Sequence, residues 1–154
     1  MKPGALLAAL DPGRSKCGLV LADGPSRTLL AAAILPPLDA QAMIAHWRRV
    51  GLASVVLGNG TGSAGWRQRL EELDLSVQLA DEHGSTLAAR QRYWDLDGRR
   101  HWRRWLPAGL RLPPRDIDDV VAQLLLERHL GGELRRPALK VWRRLPPLRT
   151  GPAP

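Results

Sequence analysis

The stretch that most constrains this chain is Ala5-Leu-Leu-Ala-Ala-Leu-Asp11, an apolar run without a polar break that ends in a carboxylate. A strand with one face in water alternates apolar and polar residues. An unbroken run reads instead as a strand covered on both faces, the centre of an α/β sheet. Asp11 then stands at the end of a central strand, with Pro12-Gly13 next and a second apolar run from Gly18 to Ala22 after it. Asp, Pro and Gly are also favoured turn residues, so the same letters describe a simple reversal. Asp11 becomes more than a turn residue only if other polar groups converge on it.

The order of the remaining segments supplies candidates. Gly18–Ala22 and Thr28–Leu35 read as two further strands joined by the short turn Asp23-Gly-Pro-Ser26, which predicts an antiparallel meander. Pro36-Pro37 breaks the chain, and Met43, Ile44, Trp47 and Val50 recur at helical spacing up to Gly51, with Asp39 as a candidate N-cap. Ser54–Gly58, reached through that helix, reads as a strand parallel to the first. The loop Gly58-Asn-Gly-Thr-Gly-Ser-Ala-Gly65 offers backbone N–H groups to a phosphate or is a flexible connection; it matches neither a Walker A loop nor a dinucleotide-binding turn. Val77–Ala80 is a fifth strand, ending in Asp81-Glu82-His83-Gly-Ser-Thr86.

A helix from Ile117 to Leu130 closes the regular part of the chain. Asp116 falls on a polar stripe with Gln123 and Glu127 and reads as its N-cap. Asp118 lines up with Val121, Ala122 and Leu125 and so faces the core. A carboxylate in the first turn on a buried face is costly unless something pairs with it. The expected architecture is thus a mixed five-stranded sheet, an antiparallel meander plus two parallel strands, flanked by helices. It occupies one domain over residues 1–132, followed by a basic, Pro-rich tail over 133–154.

Charge narrows the partner. The 154 residues carry a formal net charge of +8, almost all of it from arginine, since Lys2, Lys16 and Lys140 are the only lysines. Arginine's planar fork suits phosphate, so nucleic acid is the expected partner. Tyr93–Trp105 interleaves aromatic rings with arginines, and Arg14, Lys16, Arg99, Arg100, Trp102, Arg103 and Arg104 are the candidate nucleic-acid contacts. The alternative is that the tryptophans pack inward and only the arginines meet solvent. With a single cysteine, Cys17, neither an intrachain disulfide nor a multi-cysteine zinc site can form. No signal peptide or long apolar span is visible, so a cytoplasmic protein without membrane partners is expected.

Asp11, Glu82 and Asp118 therefore stand at element ends that a right-handed crossover brings to one side of the sheet. Clustered carboxylates without a cation repel each other, whereas Mg2+ or Mn2+ takes oxygen ligands and supports phosphodiester hydrolysis.

Three blocks carry a resemblance to a known family: Asp11-Pro-Gly-Arg-Ser-Lys-Cys-Gly18, Asp81-Glu-His-Gly-Ser-Thr86 and Asp118-Asp-Val-Val-Ala-Gln-Leu-Leu-Leu126, with the Val55-Val-Leu-Gly58 strand in the expected order. In this the chain resembles the YqgF/RuvX family, ribonuclease H-like proteins described as pre-16S rRNA nucleases or Holliday-junction-resolvase-like proteins. The resemblance implies a ribonuclease H-like fold and a Mg2+- or Mn2+-dependent endonuclease acting on structured RNA. A junction-DNA endonuclease and a nucleic-acid-binding module with little activity are the alternatives. It also implies that Asp11, Glu82 and Asp118 are the catalytic, metal-binding acids, with Asp119 as the reserve ligand if the helix is rotated. The chain departs from the family at Pro12, where an aromatic residue is usual, at Gly58-Asn-Gly60, and at His83.

Overall fold

The computed structural model describes residues 5–60, 62–96, 105–107, 112–113 and 115–148. Their order is β1 (Leu6–Asp11), β2 (Cys17–Asp23), β3 (Thr28–Leu35), α1 (Pro37–Arg49), β4 (Leu52–Gly58), α2 (Ser63–Glu72), β5 (Ser76–Ala80), α3 (Ser85–Leu96), α4 (Asp118–Leu130) and β6 (Val141–Trp142). The sheet runs β5-β4-β1-β2-β3-β6. β1, β2 and β3 form the antiparallel meander, while β4 and β5 add parallel to β1. This is the ribonuclease H-like α/β arrangement.

β1 lies at the middle because both its faces are apolar. Leu6, Ala8 and Leu10 point into one core with Cys17, Leu19 and Leu21 of β2, against Met43, Ile44 and Trp47 of α1 and Trp66 and Leu70 of α2. Ala9 points to the other face, where Val20, Ala22, Leu29 and Ala32 meet Ala122, Leu125 and Leu126 of α4. Alanines on that second face keep the sheet thin beneath α4, and the helix settles close to the strands. At Gly18 the approach is closest: a Cβ there would overlap the backbone carbonyl of Asp118. Gly18→Ala is therefore expected to push the first turn of α4 off the sheet. A loss of about 1–3 kcal/mol is expected, read as a lower urea midpoint with unchanged slope.

The chain beyond Gly132 differs from the expected tail. Leu134 is buried, the backbone of Arg135 bonds to Arg27 and Leu29, and Val141-Trp142 pairs in parallel with Ala32-Ala33 of β3, so the sheet has six strands rather than five. Leu139 and Val141 pack on the α4 face, Trp142, Leu145 and Leu148 on the α1 face, so the segment wraps the edge of the sheet. Its prolines explain why a sequence reading sees only an irregular tail: Pro lacks the N–H that a ladder needs, and the strand shrinks to two residues. Among the described residues no helix is long and apolar enough to cross a membrane.

Candidate active site

Strand register gathers the acids. Asp11 ends β1 opposite Gly18 of β2, Leu10 pairs with Leu57 of β4, and Gly58 pairs with Ala80 of β5, so three parallel strands finish side by side. Glu82 follows two residues beyond Ala80. Its N–H donates to Asn59 Oδ1 at 3.1 Å, and the Asn59 N–H donates to the Ala80 carbonyl at 3.0 Å. Asp118 reaches the same edge from above, because its backbone rests on Gly18, the pairing partner of Asp11.

The Gly58-Asn-Gly60 loop is the seat of Glu82. A Cβ at Gly58 or at Gly60 would overlap the Glu82 carboxylate, so only glycine at these positions leaves room for it. The loop is thus a seat for a side chain rather than a flexible connection, and its signal in the sequence is the pair of glycines bracketing a single hydrogen-bonding residue at a strand end.

Electrostatics make the site costly. The Asp11 carboxyl is pushed up to about 8, first by burial, then by the hydrogen bond and charge it shares with Glu82, and last by the charge of Asp118. Burial and the neighbouring carboxylate charges both disfavour an ionised Asp11. Glu82 Oε1 is buried and reached by no hydrogen-bond donor. A buried carboxylate oxygen without a partner, beside a second, half-buried acid, suits a divalent cation with oxygen ligands.

Asp118 is near but engaged elsewhere. Lys16, on the loop between β1 and β2, sets its ammonium 2.9 Å from Asp116 Oδ2 and 3.6 Å from Asp118 Oδ2. Hydrogen bonding to Asp116 is the main cause that raises the Lys16 pKa, and the same contact lowers that of Asp116. Accordingly, no group of three or more His, Cys, Asp or Glu side chains among the described residues stands at metal-holding spacing. Asp116 is not the helix cap expected of it. Ile117 occupies that position without a side-chain bond, and Asp116 is drawn away by Lys16 and by Arg143 at 2.9 Å.

Asp119, the reserve ligand, lies outside this group. It is fully buried and held by Arg115 at 2.9 Å and Arg136 at 2.5 Å. It heads a polar seam along α4. Arg136 also donates to Gln123, while Glu127 accepts from Arg92 at 3.2 Å and from the Leu134 N–H at 2.7 Å. The helix is rotated so that this i, i+4, i+8 row is covered by the C-terminal segment and α3. The internal pairing of Arg136 and Arg143 is not legible in the sequence, because a basic, Pro-rich segment carries no periodicity that would fix its contacts.

Of the candidate nucleic-acid contacts, Arg14 is exposed on the β1–β2 loop and Lys16 is half-buried. Arg99, Arg100, Trp102, Arg103 and Arg104 lie outside the described residues. At the start of that stretch Tyr93 and Trp94 are buried edge to face, their centroids 5.3 Å apart, while Trp105 is exposed. The inward-packing alternative therefore holds for the first two rings. A cleft of about 380 Å³ opens over Asp11 and Asp118, lined also by Lys16, Thr86, Arg90 and Arg115.

No protein-family model matches the chain, and no curated protein matches its sequence. Among solved structures the chain is similar to T. thermophilus RuvC in complex with Holliday junction substrate, at 15% identity and a TM-score of 0.41, over 84% of this chain and 99% of that one.

Proposed function

We propose that the chain is a Mg2+- or Mn2+-dependent endonuclease that hydrolyses phosphodiester bonds in structured nucleic acid. The observation that carries this reading is the Asp11–Glu82 pair, two half-buried carboxyls in contact, with one buried Glu82 oxygen left without a donor. A divalent ion bound there would neutralise the pair and lower the pKa of a bound water toward neutrality. Asp11 and Glu82 would hold the ion, Asn59 and the two glycines seat Glu82, and Gly18 lets Asp118 approach the same edge. Arg90 and Lys16 line the cleft beside the acids and offer charge to the phosphates on either side of the scissile one. The family resemblance of the three blocks favours structured RNA of the pre-16S type, with branched DNA as the closest alternative.

A second reading has its own observation. Lys16 occupies Asp118, so the acids as they stand could serve a nucleic-acid-binding module with little chemistry. Incubation of the chain with structured RNA and with a four-way DNA junction, under Mg2+, Mn2+ or EDTA, separates the two. Metal-dependent cleavage of either substrate supports the nuclease. Retention of both substrates without cleavage under either metal supports the module.

The seat of Glu82 gives a sharper check. Gly58→Ala is expected to displace the Glu82 carboxyl and lower cleavage about 100-fold. The obstructing atoms belong to a side chain that can swing away, so the unfolding free energy should move by less than about 1 kcal/mol.

A further inference from the structure

Lys16 lines the cleft and also touches one of the three acids directly. Its ammonium lies between two carboxylates, closer to Asp116 than to Asp118, and both contacts are to Oδ2 atoms. Asp116 Oδ2 also accepts from Arg143, so Asp116 is doubly paired and fixed, while Asp118 has the looser share of the lysine. The Lys16 side chain is 41% exposed, and a four-carbon stem allows it to move without disturbing the backbone.

We propose that Lys16 is a built-in cation that competes with a second metal ion for Asp118. In the free chain the site takes one divalent ion at Asp11 and Glu82. A second ion, bridged by Asp118, enters only when a phosphate of bound nucleic acid draws the ammonium off that carboxylate. Asp116 keeps the lysine close by, so the exchange needs a short swing rather than a refolded loop. Two ions acting on one phosphodiester sit about 3.5–4 Å apart, and a fixed positive charge already at Asp118 opposes the second by direct repulsion. Binding of substrate and completion of the site are then linked, and a free chain is protected from non-productive double loading.

This rests on the metal-dependent reading, and its test does not require turnover. Calorimetric titration with Mn2+ alone, without nucleic acid, compares the intact chain with Lys16→Met and Asp116→Asn. The intact chain is expected to bind one ion. Lys16→Met should bind a second ion, or bind the first about tenfold more tightly. Asp116→Asn, which leaves Asp118 as the lysine's remaining partner, should bind Mn2+ no better than the intact chain. Identical isotherms for the intact chain and Lys16→Met overturn the role of Lys16 while leaving the metal site standing. Absence of Mn2+ binding in every protein overturns the metal-dependent reading itself.

Discussion

Replacing Asp11 by Asn is expected to abolish cleavage and, in the same protein, to make the metal-free chain more stable. The two effects share one cause. In the folded chain the Asp11 carboxyl is raised to about 8, against 3.8 when unperturbed, so between those values the folded state holds a proton that the unfolded state releases. Stability of the metal-free chain must then fall as pH rises across that window and level off above about pH 8. An amide carries no charge to desolvate and can donate to Glu82, so Asp11→Asn should flatten the profile and gain about 2–4 kcal/mol at pH 8. Below pH 4 the two proteins should converge. Urea unfolding from pH 4 to pH 9 in EDTA measures this. A variant less stable than the parent at pH 8 would mean that Asp11 is an ordinary turn residue. The gain is confined to the metal-free state, because Mn2+ at a hundredfold excess over its dissociation constant stabilises the parent by about 2.7 kcal/mol and not a variant that cannot bind it.

Asp119→Ala is expected to act in the opposite sense, costing about 3–5 kcal/mol, because it leaves the Arg136 guanidinium nearly buried without its carboxylate. The loss should appear as a lower urea midpoint at neutral pH. Mn2+ binding by the folded fraction should be unchanged, since Asp119 faces the Arg115–Arg136 clamp rather than Asp11. A variant of parental stability that no longer binds Mn2+ would make Asp119 the ligand and Arg136 incidental. Asp119→Asn should cost less, as its carbonyl still accepts from one arginine.

What could be read from the residues alone followed from periodicity. The unbroken run at β1, the apolar spacing of Met43, Ile44 and Trp47, and the carboxylates at element ends gave the meander, the parallel additions and the convergence of Asp11 with Glu82, because strand ends align once the parallel order is known. The roles of neighbouring polar residues were not legible in the same way. Asp116, Asp118 and Asp119 are consecutive or nearly so, and a rotation of the helix by a fraction of a turn exchanges which one meets the sheet. That rotation is set by arginines 17 to 27 residues downstream, Arg136 on Asp119 and Arg143 on Asp116, whose contacts no local pattern encodes. The edge strand β6 escaped for a related reason: two residues among prolines fall below any periodic signal, and only the open edge of β3 gives them a place.

The seam along α4 also changes what a polyanion meets. Of the 23 lysines and arginines, Arg92, Arg115, Arg136 and Arg143 are each matched by a carboxylate of the same molecule. Counterions condensed on a nucleic acid are released by cations that reach its phosphates. The salt sensitivity of binding will therefore count the arginines left outside the seam. Those few arginines are mortar that joins the last third of the chain to the sheet.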